Sequence, residues 1–306
     1  IQHNGPEDAA ITYIEAENAQ EEALAIAVAL RETVSQEQAS AALVTPDRAL
    51  ARRVIAAASR WNLEIDDSGG DPLTQTAAGL IARLACDTLA KDGAPPSLLA
   101  LLKHDDFRFG KIAGGYRAAI ATLELAILRG APPHGGWRGL VPALADFRTQ
   151  WEAYHAKRKT TLHGSDPRVR LTLEEINSAQ TLIVNLASAA EPFFAALQSY
   201  SSSLGNLAKL HRAFLECLTC EADGTPAIIT RSDGAAMFAA LADIDGLSIA
   251  HGITIASQDY PDILEQILAE RAVRRAGRPG ARLRIYGPLE ARLTQHDRVI
   301  LAGLSE

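Results

Sequence analysis

The stretch RLRIYGPLEARLTQHDRVILAGLSE, residues 282–306, decides the fold. It contains two short apolar runs, RLRIYG and RVILAG, of the kind that form fully buried strands. Similar runs occur much earlier in the chain, in AITYIEA (10–16), AALVT (41–45) and LEIDD (63–67). We therefore expect the early strands and the terminal strands to close a single sheet.

Helical patterns separate the early strands. Asn18 is followed by Glu21 at the spacing of a capping box, and Asp47 is a suitable N-cap for the next helix. Strands that alternate with helices through short loops are typical of a parallel sheet in an α/β layer. Residues 1–70 are thus predicted to form the first part of an α/β lobe.

The pattern changes after residue 70, where the chain becomes almost entirely helical. Thr172 and Glu175 make a further capping box, and Gly- and Pro-rich breaks separate the helices. The predicted helices cover residues 72–91, 97–103, 110–129, 141–159, 172–200, 205–221 and 261–275, and SIAHGITIA predicts a short strand at residues 248–256. We predict an α/β fold in which a small parallel sheet is interrupted by a large all-helical inserted domain, residues 71–245, and resumes at residues 246–306.

Composition excludes several classes of protein. The formal net charge is -7, so any contact with nucleic acid must come from a local basic patch. The chain has 3 cysteines, an odd number that does not suit a secreted fold held together by disulfide bonds. No long apolar run predicts a membrane span, and no signal peptide opens the chain. We expect a cytoplasmic protein without membrane contact, and the absence of an initiating Met suggests a piece of a longer chain.

The sequence offers few catalytic motifs. Gly110 and Lys111 lie in DDFRFGKIAGG, but a phosphate-binding P-loop would need a hydroxyl residue next and a leading Gly, so a helix start is favoured. Cys217 and Cys220 have the spacing of a metal or redox pair, with His211 as one candidate third ligand. Ordinary helix packing is the favoured interpretation of this pair, and Cys86 is predicted to lie in the core. We predict no metal site and no catalytic residue.

Three aspartates, Asp66, Asp67 and Asp71, crowd a Gly-rich turn before Pro72. Carboxylates in such an arrangement can hold Mg²⁺. Aspartates are also common in turns, and Asp71 is placed to cap the helix that Pro72 would begin. The turn and cap are favoured over a metal site.

Two basic stretches are candidates for contact with DNA, because Arg and Lys bind phosphate oxygens. The first comprises Arg271, Arg274, Arg275, Arg278, Arg282 and Arg284, and the second comprises Lys157, Arg158 and Lys159, with Arg168 and Arg170 shortly after. The alternative for both is a solvated helix end, where cations complement the helix dipole. The arginines at positions 52, 53 and 60 are predicted to form the solvent face of their helix.

The interrupted α/β lobe resembles the second motor domain of UvrD-like superfamily 1 helicases, which has a RecA-like sheet and an inserted accessory domain. ALVTPDRALARRVIAAASRWNLEIDDSGGDPLTQTAAG and RIYGPLEARLTQHDRVILAGLSE are similar to the AddB subunit of AddAB helicase–nucleases of the alphaproteobacterial type. The resemblance implies a central region of a longer subunit that acts in repair of double-strand breaks. It also implies that the family's nuclease carboxylates and iron–sulfur cysteines lie beyond residue 306.

The sequence departs from active helicases at the positions that sense nucleotide. Their Arg directly after the strand is replaced by Thr45, with Arg48 displaced onto the helix, and a later motif keeps only the basic residue Arg292. The resemblance therefore implies a non-catalytic region that guides DNA and packs on an AddA-type motor subunit. ATP, Mg and the iron–sulfur cluster would belong to the parent complex, with no cofactor in this region. The alternative is a protein-interaction scaffold without DNA contact.

Overall fold

The computed structural model describes residues 11–273 and 280–303. The chain divides into two compact units, of which the first combines residues 1–71 with 274–306 and the second comprises residues 72–273. In chain order, the strands are β1 (Ala41–Val44), β2 (Asp66–Asp67), β3 (Asp71–Pro72), β4 (Ser201–Ser203), β5 (Thr254–Ala256), β6 (Ala272–Val273), β7 (Leu283–Tyr286) and β8 (Arg298–Leu301).

The helices account for most of the second unit. They are α1 (Ala19–Ser35), α2 (Arg48–Ser59), α3 (Ala77–Ala90), α4 (Pro95–Leu102), α5 (Arg117–Leu123), α6 (Gly136–His155), α7 (Leu173–Gln198), α8 (Leu204–Thr219), α9 (Ser232–His251) and α10 (Tyr260–Ala269). Short 3-10 turns precede α3, α7 and α10 and link β7 to β8, and a π-helical turn, Glu124–Leu128, extends α5.

The first unit is built on a four-stranded sheet in the order β2-β7-β1-β8. All three pairings are parallel, with Ala41 opposite both Leu283 and Arg298, and Asp66 opposite Arg284. The prediction that early and terminal strands form one sheet is confirmed for AALVT, for the end of LEIDD and for both terminal runs. Since β7 lies between the two early strands and β8 flanks β1, neither end of the chain could build this sheet alone.

Helices α1 and α2 cover one face of the sheet. Their apolar residues share one core with the sheet, because alternate strand residues point to the same face. This core consists of Ala23, Ile26, Leu30, Ala41, Leu43, Leu50, Ala51, Val54, Leu283, Ile285 and Ala302. The predicted N-caps are confirmed here: Asn18 accepts hydrogen bonds from two amides of α1, and Asp47 does so for α2.

One predicted strand is wrong. Residues 11–16, the described part of the AITYIEA run, form no strand, and Ile11 is 96% exposed. Residue 10 lies outside the described residues. The apolar alternation is present, but these residues have no sheet partner in the described chain, and strand structure requires one.

The last third of the second unit also differs from the sequence prediction. Helix α9 was not predicted, and it continues to His251 through half of the expected strand, so only Thr254–Ala256 is extended. That strand, β5, pairs antiparallel with β4 and not with the parallel sheet. Residues 246–273 therefore lie in the second unit, and the chain returns to the first unit after Val273.

Helix α7 forms part of the core of the second unit. Its predicted capping box is confirmed, with reciprocal bonds between Thr172 and Glu175, and the helix continues through Pro192. The buried aromatic residues Phe193, Phe214 and Trp137 belong to this core. Helix α3 begins later than predicted, with Thr76 as its N-cap, while Asp71 lies in β3.

Candidate nucleic-acid interface

The carboxyl ends of the four parallel strands meet at one edge of the sheet. Ligands of open α/β sheets bind at this edge, where helix N-termini and loops converge. The nucleotide-motif candidates Thr45 and Arg48 directly follow β1, and the aspartate turn follows β2. This edge is therefore the first place to search for a phosphate site.

The guanidinium group of Arg48 binds protein groups at this edge through both terminal nitrogens. It binds the carboxylate of Asp67 with both terminal nitrogens, with a distance of 3.0 Å between Nη1 and Oδ1. Nη2 also donates to the carbonyl of Gly70 at 2.9 Å. A Cβ on Gly69 would come within 2.5 Å of Nη1, so the turn after β2 packs directly on the guanidinium group. The aspartate turn thus holds an arginine of the same chain.

The N-terminus of α2 is likewise occupied by the protein itself. The carboxylate of Asp47 accepts hydrogen bonds from the amides of Ala49 and Leu50, at 2.7 and 3.0 Å. These bonds, that from Leu50 above all, lower the pKa of Asp47. An incoming phosphate would need the same amides. Buried Thr45 uses its hydroxyl to accept a hydrogen bond from the amide of Asp47, so it stabilises the loop.

The third nucleotide-motif candidate, Arg292, lies on the 3-10 turn between β7 and β8 and is exposed. The neighbouring contacts at this edge also connect protein groups with one another. The hydroxyl of Ser68 donates to the carbonyl of Ile285 at 3.0 Å and contacts the carboxylate of Glu290. Of the three candidates, the edge thus engages Thr45 and Arg48 and leaves Arg292 in solvent.

The cysteine pair does not gather a third ligand from His211. That imidazole is completely buried and contacts the Tyr260 hydroxyl through Nδ1 at 3.1 Å and the Ala82 carbonyl through Nε2 at 3.0 Å. Cys217 is exposed and Cys220 is half-buried, both as free thiols, and Cys86 lies in the core as predicted. Among the described residues, no group of three His, Cys, Asp or Glu side chains could hold a metal ion.

Gly110 and Lys111 lie in a turn and not at a helix start, because α5 begins only at Arg117. Gly110 has a φ of 81°, which favours glycine at this turn. The ammonium group of Lys111 lies 4.3 Å from the ring centroid of Tyr116. The turn does not form a phosphate-binding loop.

The described arginines of the first basic stretch form ion pairs or hydrogen bonds with groups of the same chain. Arg271 forms an ion pair with Asp243 at 2.9 Å. Arg282 donates to the carbonyls of Val34 and Ala39, each at 2.9 Å, and so caps the end of α1. Arg284 donates to the Tyr286 hydroxyl at 3.1 Å. The other three, Arg274, Arg275 and Arg278, lie outside the described residues.

The second basic stretch is different, because four of its five cations have no ion-pair partner in the part of the chain that the structure describes. Lys157, Arg158 and Lys159 follow α6 and are exposed. In the described part of the chain, no ion pair and no side-chain hydrogen bond engages any of the three or Arg170. Lys157 has a φ of 55°, which turns the chain out of the helix. These four residues are called the basic loop below.

Two anchors hold the basic loop in place. The Gln150 side chain accepts hydrogen bonds from the Thr160 hydroxyl and the Thr161 amide, each at 3.0 Å. His155 Nε2 lies 3.1 Å from the carbonyl of Val169, which brings Arg170 beside the end of α6. Arg168 is excluded from the free set, since it forms a bidentate pair with Asp166 that lowers the pKa of that carboxyl.

Ion pairs neutralise most other cations of the second unit. The described pairs include Arg83–Glu265, Lys91–Asp87, Lys103–Glu124, Arg129–Glu124, Arg138–Glu191, Arg148–Glu152, Arg212–Glu216 and Arg231–Asp106. The basic loop thus concentrates unpaired positive charge in an acidic chain. Sequence alone identifies the run of cations, but not which arginines are already paired.

Comparison with known proteins adds no relative: neither a protein-family model nor a curated protein matches the chain. Across the described residues, the helices are too short or too polar to cross a lipid bilayer.

Proposed function

We propose that this chain is a non-catalytic, helicase-like region that contacts DNA through the basic loop. In this proposal the first unit is a RecA-like lobe and the second unit is its helical insertion. The parallel sheet made of early and terminal strands supports that interpretation, since the helical unit lies between its two halves in sequence. The resemblance to AddB subunits suggests the setting, which is resection of DNA ends during double-strand break repair.

The carboxyl edge of the sheet supports the non-catalytic part of the proposal. Motor domains stabilise the developing charge at the γ-phosphate with free cationic groups. Here Arg48 is held by Asp67, and the amides at the start of α2 are held by Asp47. Hydrolysis of ATP with Mg²⁺ is therefore assigned to an AddA-type motor subunit of a cytoplasmic complex, and any iron–sulfur cluster is assigned to a region outside this chain.

The observation that carries the DNA contact is the unpaired charge of the basic loop. Lys157, Arg158 and Lys159 are consecutive and exposed, and they have no acidic partner among the described residues, in a chain of net charge -7. Cations in such a position bind phosphates without reading base sequence, and they release counterions when they do so. We expect backbone-directed, salt-sensitive binding of single-stranded DNA.

The test is fluorescence anisotropy with a labelled oligo-dT single strand, titrated with the chain over a series of salt concentrations. The variant Lys157→Ala/Arg158→Ala/Lys159→Ala should weaken binding at least tenfold at low salt. For single strands each lost phosphate contact flattens the slope of log K against log salt by about 0.7, so the slope should become shallower by about 2.

The matched control is Arg52→Ala/Arg53→Ala/Arg60→Ala, which removes the same charge from the solvent face of α2. This control should bind as the unchanged chain does, because those arginines lie on the other unit. Equal loss in both triple variants would show that only bulk charge matters. Binding unaffected by the basic-loop variant would remove the proposed interface.

A scaffold without DNA contact is the second candidate, and exposed apolar side chains favour it. Leu289, which precedes the 3-10 turn after β7, and Leu293, which ends it, are 74% and 93% exposed. Exposed apolar residues mark a contact surface where they form a contiguous patch. Absence of any salt-sensitive DNA binding by the unchanged chain, together with capture of an AddA-type subunit, would favour this candidate.

A further inference from the structure

Helix α1 runs antiparallel to β8 in the first unit. At the start of the helix, Glu22 accepts a hydrogen bond from the amide of Gly303, which follows β8, at 3.1 Å. Further along the helix, Ala29 and Glu32 accept hydrogen bonds from Arg298, the first residue of β8, at 3.0 and 2.7 Å. The chain therefore enters α1 at the carboxyl end of β8.

The handedness of crossover connections fixes where a strand before α1 would lie. From β1 the chain passes through α2 and over β7 to reach β2, at the edge of the sheet opposite β8. Helix α2 lies on the same face of the sheet as α1. Nearly all such connections are right-handed, so two of them on one face must shift in the same direction. A strand that leads through α1 into β1 must then lie on the β8 side of the sheet, and the vacant position there is beyond β8.

The outer edge of β8 is free in the described chain. The amides of Arg298 and Ala302 donate to the carbonyls of Ser40 and Val44, at 3.1 and 3.2 Å, on the β1 side. Because backbone groups alternate in direction along a strand, those of Val299 and Leu301 point away from β1. Their side chains are 54% and 63% exposed. This edge can therefore accept one more strand.

The segment in front of α1 has the properties of such a strand. Residues 11–16 form neither a helix nor a strand and have no sheet partner in the described chain, and Asn18 caps α1 only two residues later. Its apolar side chains, Ile11, Tyr13 and Ile14, are all exposed. A link of two residues reaches the carboxyl end of β8, where α1 begins.

We propose that the outer edge of β8 is a docking site for residues 11–16 of the same chain. Docked parallel to β8, the segment would become a fifth strand, and the order would be β2-β7-β1-β8 followed by the new strand. Pairing would satisfy the outward backbone groups of Val299 and Leu301 and cover apolar side chains on both strands. The structure holds the segment undocked, so docking is a second state of the first unit.

Hydrogen exchange measured by NMR on the complete chain tests this proposal, because the two kinds of β8 amide are distinguishable. The amides of Val299 and Leu301 should exchange at least tenfold more slowly in the complete chain than in a chain that lacks residues 1–16. The amide of Ile300 points to β1 and serves as an internal control that should change less than twofold. Rapid exchange of Val299 and Leu301 in the complete chain would overturn the proposal.

Single proline substitutions provide the matched variants. In a strand paired along one edge, alternate amides bond the neighbour or face solvent. Of Tyr13→Pro and Ile14→Pro, one should therefore abolish the protection of Val299 and Leu301 and the other should largely retain it. If neither proline changes the exchange rates of the Val299 and Leu301 amides, residues 11–16 are not what protects them. If the protection rises with protein concentration and the protein has the mass of a dimer, a second copy occupies the edge. Either result would refute docking within one chain.

Discussion

At the scale of single residues, His211 is a polar group that the core uses in its neutral form. Its ring stacks on Phe193 with centroids 4.9 Å apart, and its two nitrogens contact Tyr260 and Ala82. Burial lowers its pKa to about 4, while the same burial raises the pKa of Tyr260. The histidine thereby links α8 to α3 and α10 without adding charge to the core.

We predict that His211 makes stability depend on pH in the acidic range. The unfolded chain protonates this residue near pH 6.5 and the folded chain only near pH 4, so stability is lost as pH falls through that window. At pH 4.5 the loss should be about 2 to 3 kcal/mol relative to pH 7.5. The measurement is urea unfolding at several pH values for the unchanged chain and His211→Gln, which keeps a donor and an acceptor but does not titrate.

The difference in unfolding free energy between the two proteins should shrink as pH falls. The exposed His134 offers a control, since His134→Gln should leave the pH dependence unchanged. A constant difference between the unchanged chain and His211→Gln from pH 7.5 to 4.5 would contradict the assignment.

Residues also show where sequence reasoning succeeds. The caps Asn18, Asp47 and Thr172 bind amides within three residues, so local sequence is enough to predict them. Arg48 and Arg282 find partners up to 22 and 248 positions away, and only the fold brings them together. For the same reason, the sequence marks both basic stretches as DNA candidates, but it cannot show that Arg271, Arg282 and Arg284 are already engaged.

At the scale of elements, burial matches the apolar runs of the sheet only in part: β1 is buried along its whole length, whereas Val299 and Leu301 of β8 are 54% and 63% exposed. Helix α9, Ser232–His251, was missed because glycines and aspartates interrupt its apolar pattern. Residues 11–16 have a strand pattern, yet pairing depends on an edge almost 300 positions away in sequence. The local pattern thus predicts which segments can form a strand, while a strand forms only where a partner edge is available.

Replacing two helical glycines with alanine should change the stability of the protein in opposite directions. In α3, a Cβ on Gly79 would lie 1.8 Å from the carbonyl oxygen of Leu73, so Gly79→Ala must displace the turn that precedes the helix. In α9, a Cβ on the exposed Gly246 would meet no atom within 4 Å. Alanine there should stabilise the helix by up to about 1 kcal/mol, because glycine has the greater entropy in the unfolded chain.

Urea unfolding followed by circular dichroism at 222 nm measures both changes. Gly79→Ala should lower the free energy of unfolding by about 2 kcal/mol or more, which is typical of backbone overlap in a packed region. If both substitutions change the free energy of unfolding equally, the turn before α3 moves at no cost. The close approach of Gly79 to the Leu73 carbonyl would then not matter for stability.

At the scale of the whole molecule, the first unit depends on two pieces of chain that the second unit separates in sequence. β7 lies between β1 and β2, and β8 covers the other side of β1. Leu283 and Ile285 of β7 are almost completely buried in the core of that unit. The second unit, by contrast, is continuous from Pro72 to Val273. The two units should therefore differ in their response to loss of the last residues.

We predict that a chain ending at residue 273 keeps the second unit folded and loses the first. Removing β7 and β8 takes two neighbours from β1, and each fully buried Leu or Ile lost from the core forfeits about 1.5 to 3 kcal/mol. Hydrogen exchange read by mass spectrometry should show rapid exchange in Ala41–Val44 and in α1, while α7 and α8 remain as protected as in the complete chain. A chain of residues 72–273 alone should reproduce the α7 and α8 protection. Persistent protection of Ala41–Val44 in the shortened chain would mean that α1, β1, α2 and β2 fold without the terminal strands, and the shared sheet would then not be what holds the first unit together.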